Sequence, residues 1–163
     1  MNCNMKTLSS YIFEANEVRW NQSKDPAVKI FADVINPMCY HYCGNTRWDD
    51  MADVDRAVSI FTVALKKLGA DVSVKKLKFT DHTRKSSAPG PVNFIHSWEI
   101  EIKVADAGKI KKVVVTGQHS WGGTGRYDYE GQMMLCAYDD WGMPNLKVNE
   151  KVLDKFLKDL GVR

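Results

Sequence analysis

Val92-Asn93-Phe94-Ile95-His96-Ser97-Trp98-Glu99-Ile100-Glu101-Ile102-Lys103-Val104 alternates along nearly its whole length. Val92, Phe94, His96, Trp98, Ile100, Ile102 and Val104 share one parity. Asn93, Ser97, Glu99, Glu101 and Lys103 take the other. A period of two is the mark of a strand with one buried and one solvated face. Asp106-Ala107-Gly108-Lys109 turns the chain, and a second strand follows with Val113, Val115, Gly117, His119 and Trp121 on one face. A two-residue turn at Ala107-Gly108 pairs Asp106 with Lys109. That register sets Ile102 opposite Val113 and Ile100 opposite Val115. Trp98 then meets Gly117, and His96 meets His119 with Cβ atoms ~5 Å apart.

Helical periodicity lies outward from this hairpin. Leu8, Tyr11, Ile12 and Ala15 recur at helical spacing. Asp25-Pro26 reads as an N-cap and first helical residue, with Ile30, Phe31, Val34 and Ile35 as the stripe and Asn36-Pro37 as the stop. Val54, Ala57, Val58, Phe61, Leu65 and Leu68 mark a helix beginning around Asp50 and Asp53, with Gly69 just past its end. Val72/Val74 and Leu77/Phe79 alternate out of phase, so a bulge is expected at Lys75-Lys76. Residues 80–91 read as a loop, 121–126 as a glycine-rich loop, and 127–138 as one further strand. Asn149 caps a last helix with the face Val152, Leu153, Phe156, Leu157 and Leu160. The fold expected is α+β: a mostly antiparallel sheet of about four strands with three or four helices packed on it.

The chain has 163 residues, 44% of them hydrophobic and 26% charged, with a net charge of +3. These values suit one folded domain and exclude a chain dominated by disorder. No stretch approaches the ~20 consecutive apolar residues of a membrane span. The charge is uneven: residues 66–85 carry seven cations against two carboxylates. Lys75, Lys76 and Lys78 in that run are candidates for meeting phosphates. The four cysteines follow no secretory signal, which points to free thiols in a reducing compartment.

His-Ser-Trp occurs twice, at His96-Ser97-Trp98 and His119-Ser120-Trp121. Facing imidazoles can serve as a general acid and base, as two ligands of a metal, or as the wet end of a core. Gly122-Gly123-Thr124-Gly125-Arg126 strengthens the first use. Backbone N–H groups of Gly122, Gly123 and Gly125 could form an anion nest, with Arg126 gripping a phosphate. Cys39, His41 and Cys43 place three soft ligands within five residues, which makes zinc a candidate cofactor. Trp98, Trp121, Tyr127, Tyr129, Tyr138 and Trp141 either stack on a nucleic-acid strand or fill the core.

Met5-Lys6-Thr7-Leu8-Ser9-Ser10-Tyr11-Ile12-Phe13-Glu14-Ala15 resembles the capsid-targeting N-terminus of internal head proteins in large tailed bacteriophages. The resemblance implies recognition by the phage head assembly, with head-protease cleavage between Glu14 and Ala15. It further implies packaging in the virion and delivery to the host cytoplasm. Residues 1–15 then form a targeting segment, and 16–163 a single globular domain. The leading expectation is a phage accessory protein that binds a host nucleic-acid or defence component. The alternatives are a small phosphodiester or nucleotide hydrolase using His96, His119 and Arg126, and a zinc-stabilised structural module.

Overall fold

A computed structural model describes residues 17–40, 53–81, 95–120, 124–140 and 143–163. Seven strands form one antiparallel sheet: β1 (Glu17–Arg19), β2 (Asp71–Asp81), β3 (Ile95–Asp106), β4 (Lys109–Ser120), β5 (Thr124–Tyr129), β6 (Gln132–Asp140) and β7 (Met143–Asn149). Three α-helices join them: α1 (Pro26–Tyr40), α2 (Asp53–Lys67) and α3 (Glu150–Asp159). The strand order is β1-β7-β6-β5-β4-β3-β2. From β2 to β7 this is a meander in which each strand pairs with the next. Only β1 travels, adding itself antiparallel to β7 at the far edge.

The expectation of about four strands is therefore corrected to seven, in a layout that is still α+β. The shortfall has identifiable causes. Residues 127–138 are two strands, because Glu130 (φ 50°) and Gly131 (φ 76°) make a tight turn between β5 and β6. Two positive φ values in succession are the signature of a type I′ hairpin. Glu is an unusual first residue for it, which hides the turn in the sequence. β7 contributes only Leu146 and Val148 to the alternation, and β1 is three residues long.

The central hairpin has the register read from the sequence. Asp106 pairs with Lys109, Ile102 with Val113, Ile100 with Val115, Trp98 with Gly117 and His96 with His119. Ala107 (φ 47°) and Gly108 (φ 81°) form its turn. The bulge in β2 falls at Leu77, between Lys76 opposite Ile100 and Lys78 opposite Glu99. β2 is a long edge strand, and the bulge and its lysines discourage pairing with another chain.

Pro26 opens α1 and Asp25 caps it, its Oδ1 accepting from the Ala27 N–H at 3.0 Å. Pro37 does not end this helix, which runs on to Tyr40. A proline this close to a C-terminus removes one hydrogen bond and leaves little helix to disrupt. Asn149 caps α3 by accepting from the Val152 N–H at 3.3 Å. Gly69 and Gly161 take positive φ just beyond α2 and α3.

All three helices pack on one face of the sheet in a single core. α1 lies against β6 and β7, α2 against β2 and β3, and α3 against β4, β6 and β7. Phe61 of α2 is the hub. Its ring meets Phe31 of α1, Phe156 of α3 and Tyr127 of β5 edge-on, with centroids 5.7–5.8 Å apart. Such pairs add roughly 0.5–1.5 kcal/mol each beyond their burial. Trp98, Tyr127 and Tyr129 are buried in this core, so these three rings are not an open stacking platform. Trp121 and Trp141 lie outside the described residues.

Candidate functional site

Two places in the sheet concentrate chemistry. The first is at the β2 edge, beyond the helices. The one-residue slip at Leu77 moves the end of β2 onto a new phase, so that Phe79 pairs with Trp98 and Asp81 with His96. Asp81 Oδ1 lies 3.3 Å from His96 Nε2, and the Phe79 ring packs against the imidazole at 5.3 Å between centroids. His119 is the register partner of His96 on the other side, and Gly125 that of His119. Asp81, His96, His119 and Gly125 thus occupy one row across four strands. A carboxylate beside an imidazole fixes the orientation of the ring. The side chain of His96 is about one-fifth exposed, enough to meet solvent. Both histidines stand out in the sequence but Asp81 does not, because residues 80–91 read as a loop whereas β2 runs on through Thr80 and Asp81.

The second place is the sheet face opposite the helices. Along one row lie Arg19, Lys147, Cys136, Arg126, Gln118, Ser97 and Thr80, each the register partner of the next. By alternation Lys75, Lys78, Lys103 and Lys112 share this face, as do Glu17, Glu99, Glu101 and Asp128. Among the described residues, cations outnumber carboxylates on this face. Some of them are tied locally: Glu101 bridges Lys103 at 3.4 Å and Lys112 at 3.7 Å, and Arg126 Nε donates to Asp128 Oδ1 at 2.9 Å. That bond to Asp128 holds the Arg126 guanidinium protonated more firmly than usual. Lys75 and Lys78 stand opposite Glu101 and Glu99, while Lys76 pairs with Ile100 on the other face.

Among the described residues, hollows open on this face at two places. One, of about 150 Å³, sits over Gly117 between Lys78, Thr116 and Asp128. The larger, of about 560 Å³, lies across β1, β7, β6 and β5. Arg19, Lys147 and Arg126 line it with Glu17, Met133 and Cys136. Met133 and Cys136 are buried outside the main core. A bulge sets them there: Tyr127 pairs with Leu135 and Asp128 with Met133, which leaves Met134 between them for the helix side. Arg126 stands out in the sequence beside its glycines, whereas Arg19 and Lys147 do not, since β1 and β7 show no strand periodicity there.

The expected anion nest changes form. Thr124, Gly125 and Arg126 belong to β5 and not to a loop, and Gly122 and Gly123 lie outside the described residues. A Cβ on Gly125 would sit 3.2 Å from the Tyr127 hydroxyl, which folds back over it. Of the zinc candidates, His41 and Cys43 lie outside the described residues, as does the side chain of Cys39, whose backbone is near the end of α1. Among the described residues no group of three or more ligating side chains gathers. Glu14, Ala15 and the whole targeting segment also lie outside them. No described helix is long and apolar enough to cross a membrane. No protein-family model matches the chain, and no curated protein or solved structure matches it.

Proposed function

We propose that this is a phage accessory protein that binds a nucleic-acid strand along its helix-free sheet face. One observation carries the reading: the face left open by α1, α2 and α3 bears an excess of cations, with Arg19, Lys147 and Arg126 in one row. Such a face attracts phosphates by counterion release and interposes Ser97, Thr116 and Gln118 as neutral hydrogen-bonding groups. Trp98, Tyr127 and Tyr129 are buried, and the mode of binding proposed is contact with the phosphate backbone. The phage setting rests on the resemblance of residues 5–15.

Fluorescence anisotropy with a twenty-nucleotide single strand tests this. About four phosphate contacts give a slope near −3 for log affinity against log salt, at about −0.7 per contact. Replacing Lys75, Lys78, Arg126 and Lys147 together by Gln should flatten the slope toward zero. No binding at 50 mM salt, or a slope unchanged in that variant, overturns the reading. On the packaging side, the chain recovered from virions should begin at Ala15. An intact terminus there removes the processing step.

The contact of Asp81 with His96 favours a second reading. In it the Asp81–His96–His119 row supplies an acid and a base for phosphodiester hydrolysis.

A further inference from the structure

β2 pairs with β3 along one side and, among the described residues, with no strand along the other. Alternate residues of such an edge turn their backbone N–H and C=O groups outward, a template for one more strand. β2 is 11 residues long, and Asp71 to Lys76 keep an unbroken register with β3 before the bulge at Leu77. The two faces of this edge differ in chemistry. Lys75 and Lys78 stand on the helix-free face, and Val74 and Phe79 on the other. Phe79 is 40% exposed, and Leu77 in the bulge 44%. Lys75 faces Glu101, which already bridges Lys103 and Lys112, while Lys78 faces Glu99 and Lys76 faces Ile100. Among the described residues, no carboxylate lies within ion-pair distance of Lys75, Lys76 or Lys78.

A second copy of this chain suits the edge poorly. Antiparallel pairing about the middle of β2 would set its lysine run against its own, and like charges across a ladder repel. A nucleic-acid strand answers the lysines but not the row of N–H and C=O groups. We propose that the β2 edge takes up an extended acidic segment of a partner protein as an eighth strand. Its carboxylates lie toward Lys75 and Lys78, and its apolar side chains beside Val74 and Phe79. The lysines that repel a copy of this strand thus choose the partner's charge, and the backbone ladder supplies the affinity. This goes beyond the open-face reading, because it uses the backbone of one edge strand and both faces of it.

Fluorescence anisotropy of labelled peptides with the full chain at 50 mM salt tests this. The probe is an eight-residue peptide alternating glutamate and valine, and its control alternates lysine and valine. The acidic peptide should bind at least tenfold tighter than the basic one. Two further acidic peptides carry N-methyl groups on every second amide, one on the even residues and one on the odd. A strand shows only one of these sets to its neighbour, so one methylated peptide should lose binding and the other keep it. That comparison uses the wild-type chain and does not depend on the folding of any variant. Lys75→Gln with Lys78→Gln should weaken the acidic peptide about fivefold, through the loss of two cross-strand charge pairs. Equal binding of the acidic and basic peptides, equal binding of the two methylated forms, or a double variant that binds like wild type overturns the proposal. So does a dimer of the chain alone that the acidic peptide fails to dissociate, which assigns the edge to a second copy. Binding of the twenty-nucleotide strand without binding of the acidic peptide assigns the lysines to the open face alone and also overturns it. Peptide binding without strand binding upholds the edge while the open-face reading falls.

Discussion

Gly117→Ala tests the packing on which both sites are built. A Cβ on Gly117 would lie 1.9 Å from Trp98 Cζ2, with two further ring atoms at 2.3 and 2.4 Å. Ordinary carbon contacts are ~3.5–4 Å, so the indole would have to retreat by nearly 2 Å. It has nowhere to go cheaply. Trp98 is 3% exposed, its ring lies 5.4 Å from that of Tyr127, and Tyr127 is braced by Phe61. Overpacking of this kind costs about 1–3 kcal/mol. Opposing it, alanine in a strand interior gains roughly 0.5–1 kcal/mol over glycine in backbone entropy. A net loss of about 2 kcal/mol follows at the upper end of the overpacking range, or ~4–8 °C in Tm for a chain of this size. Urea unfolding of both proteins at constant slope measures it. In a Trp98→Val background the obstacle is gone, so Gly117→Ala should become neutral or stabilising. A loss under about 0.5 kcal/mol in the wild-type background, or an equal loss in both backgrounds, would refute the argument.

Two further outcomes are expected. His96→Ala and His119→Ala should each remove hydrolysis of bis(p-nitrophenyl) phosphate, by roughly 10²-fold or more, while circular dichroism is kept; turnover that survives either change eliminates the hydrolase reading. Arg163 clasps Asp25 with both guanidinium nitrogens, and the first consequence of that hydrogen bonding is an Asp25 carboxyl held below its ordinary value, against the opposing effect of burial. The folded state therefore takes up this proton less readily than the unfolded chain, and the stabilisation is complete above the ordinary carboxylate range and lost as pH falls through the folded value. Arg163→Gln should cost about 1 kcal/mol at pH 7, and the gap should close below about pH 3 in urea titrations; a gap constant down to pH 2 would show that the carboxylate is not the source.

The central hairpin was legible because its information is local. The parity of residues 96–104 and the turn at Ala107-Gly108 set one register, and that register alone paired Trp98 with Gly117 and His96 with His119. The caps at Asp25 and Asn149 were equally local, each a side chain reaching a backbone N–H two or three residues on. What escaped depended on single-residue slips and distant pairings. The one-residue bulge at Leu77 places Asp81 and not Thr80 beside His96, and that pairing is visible only once β2 is seen to run on to Asp81. β1 has too few residues to show a period, and it becomes a strand only because β7 offers it an edge.

Taken alone, then, the sequence determined the stripes of α1, α2 and α3, the central hairpin and the register of the histidine pair, since each follows from spacing along a few consecutive residues. The tertiary structure decided that Asp81 pairs with His96, that Trp98, Tyr127 and Tyr129 are core, and that Arg19, Lys147 and Arg126 share one row with Cys136. These last residues lie on β1, β7, β5 and β6. No periodicity within any one strand encodes their meeting, which depends on strand order and hydrogen-bond register across the sheet.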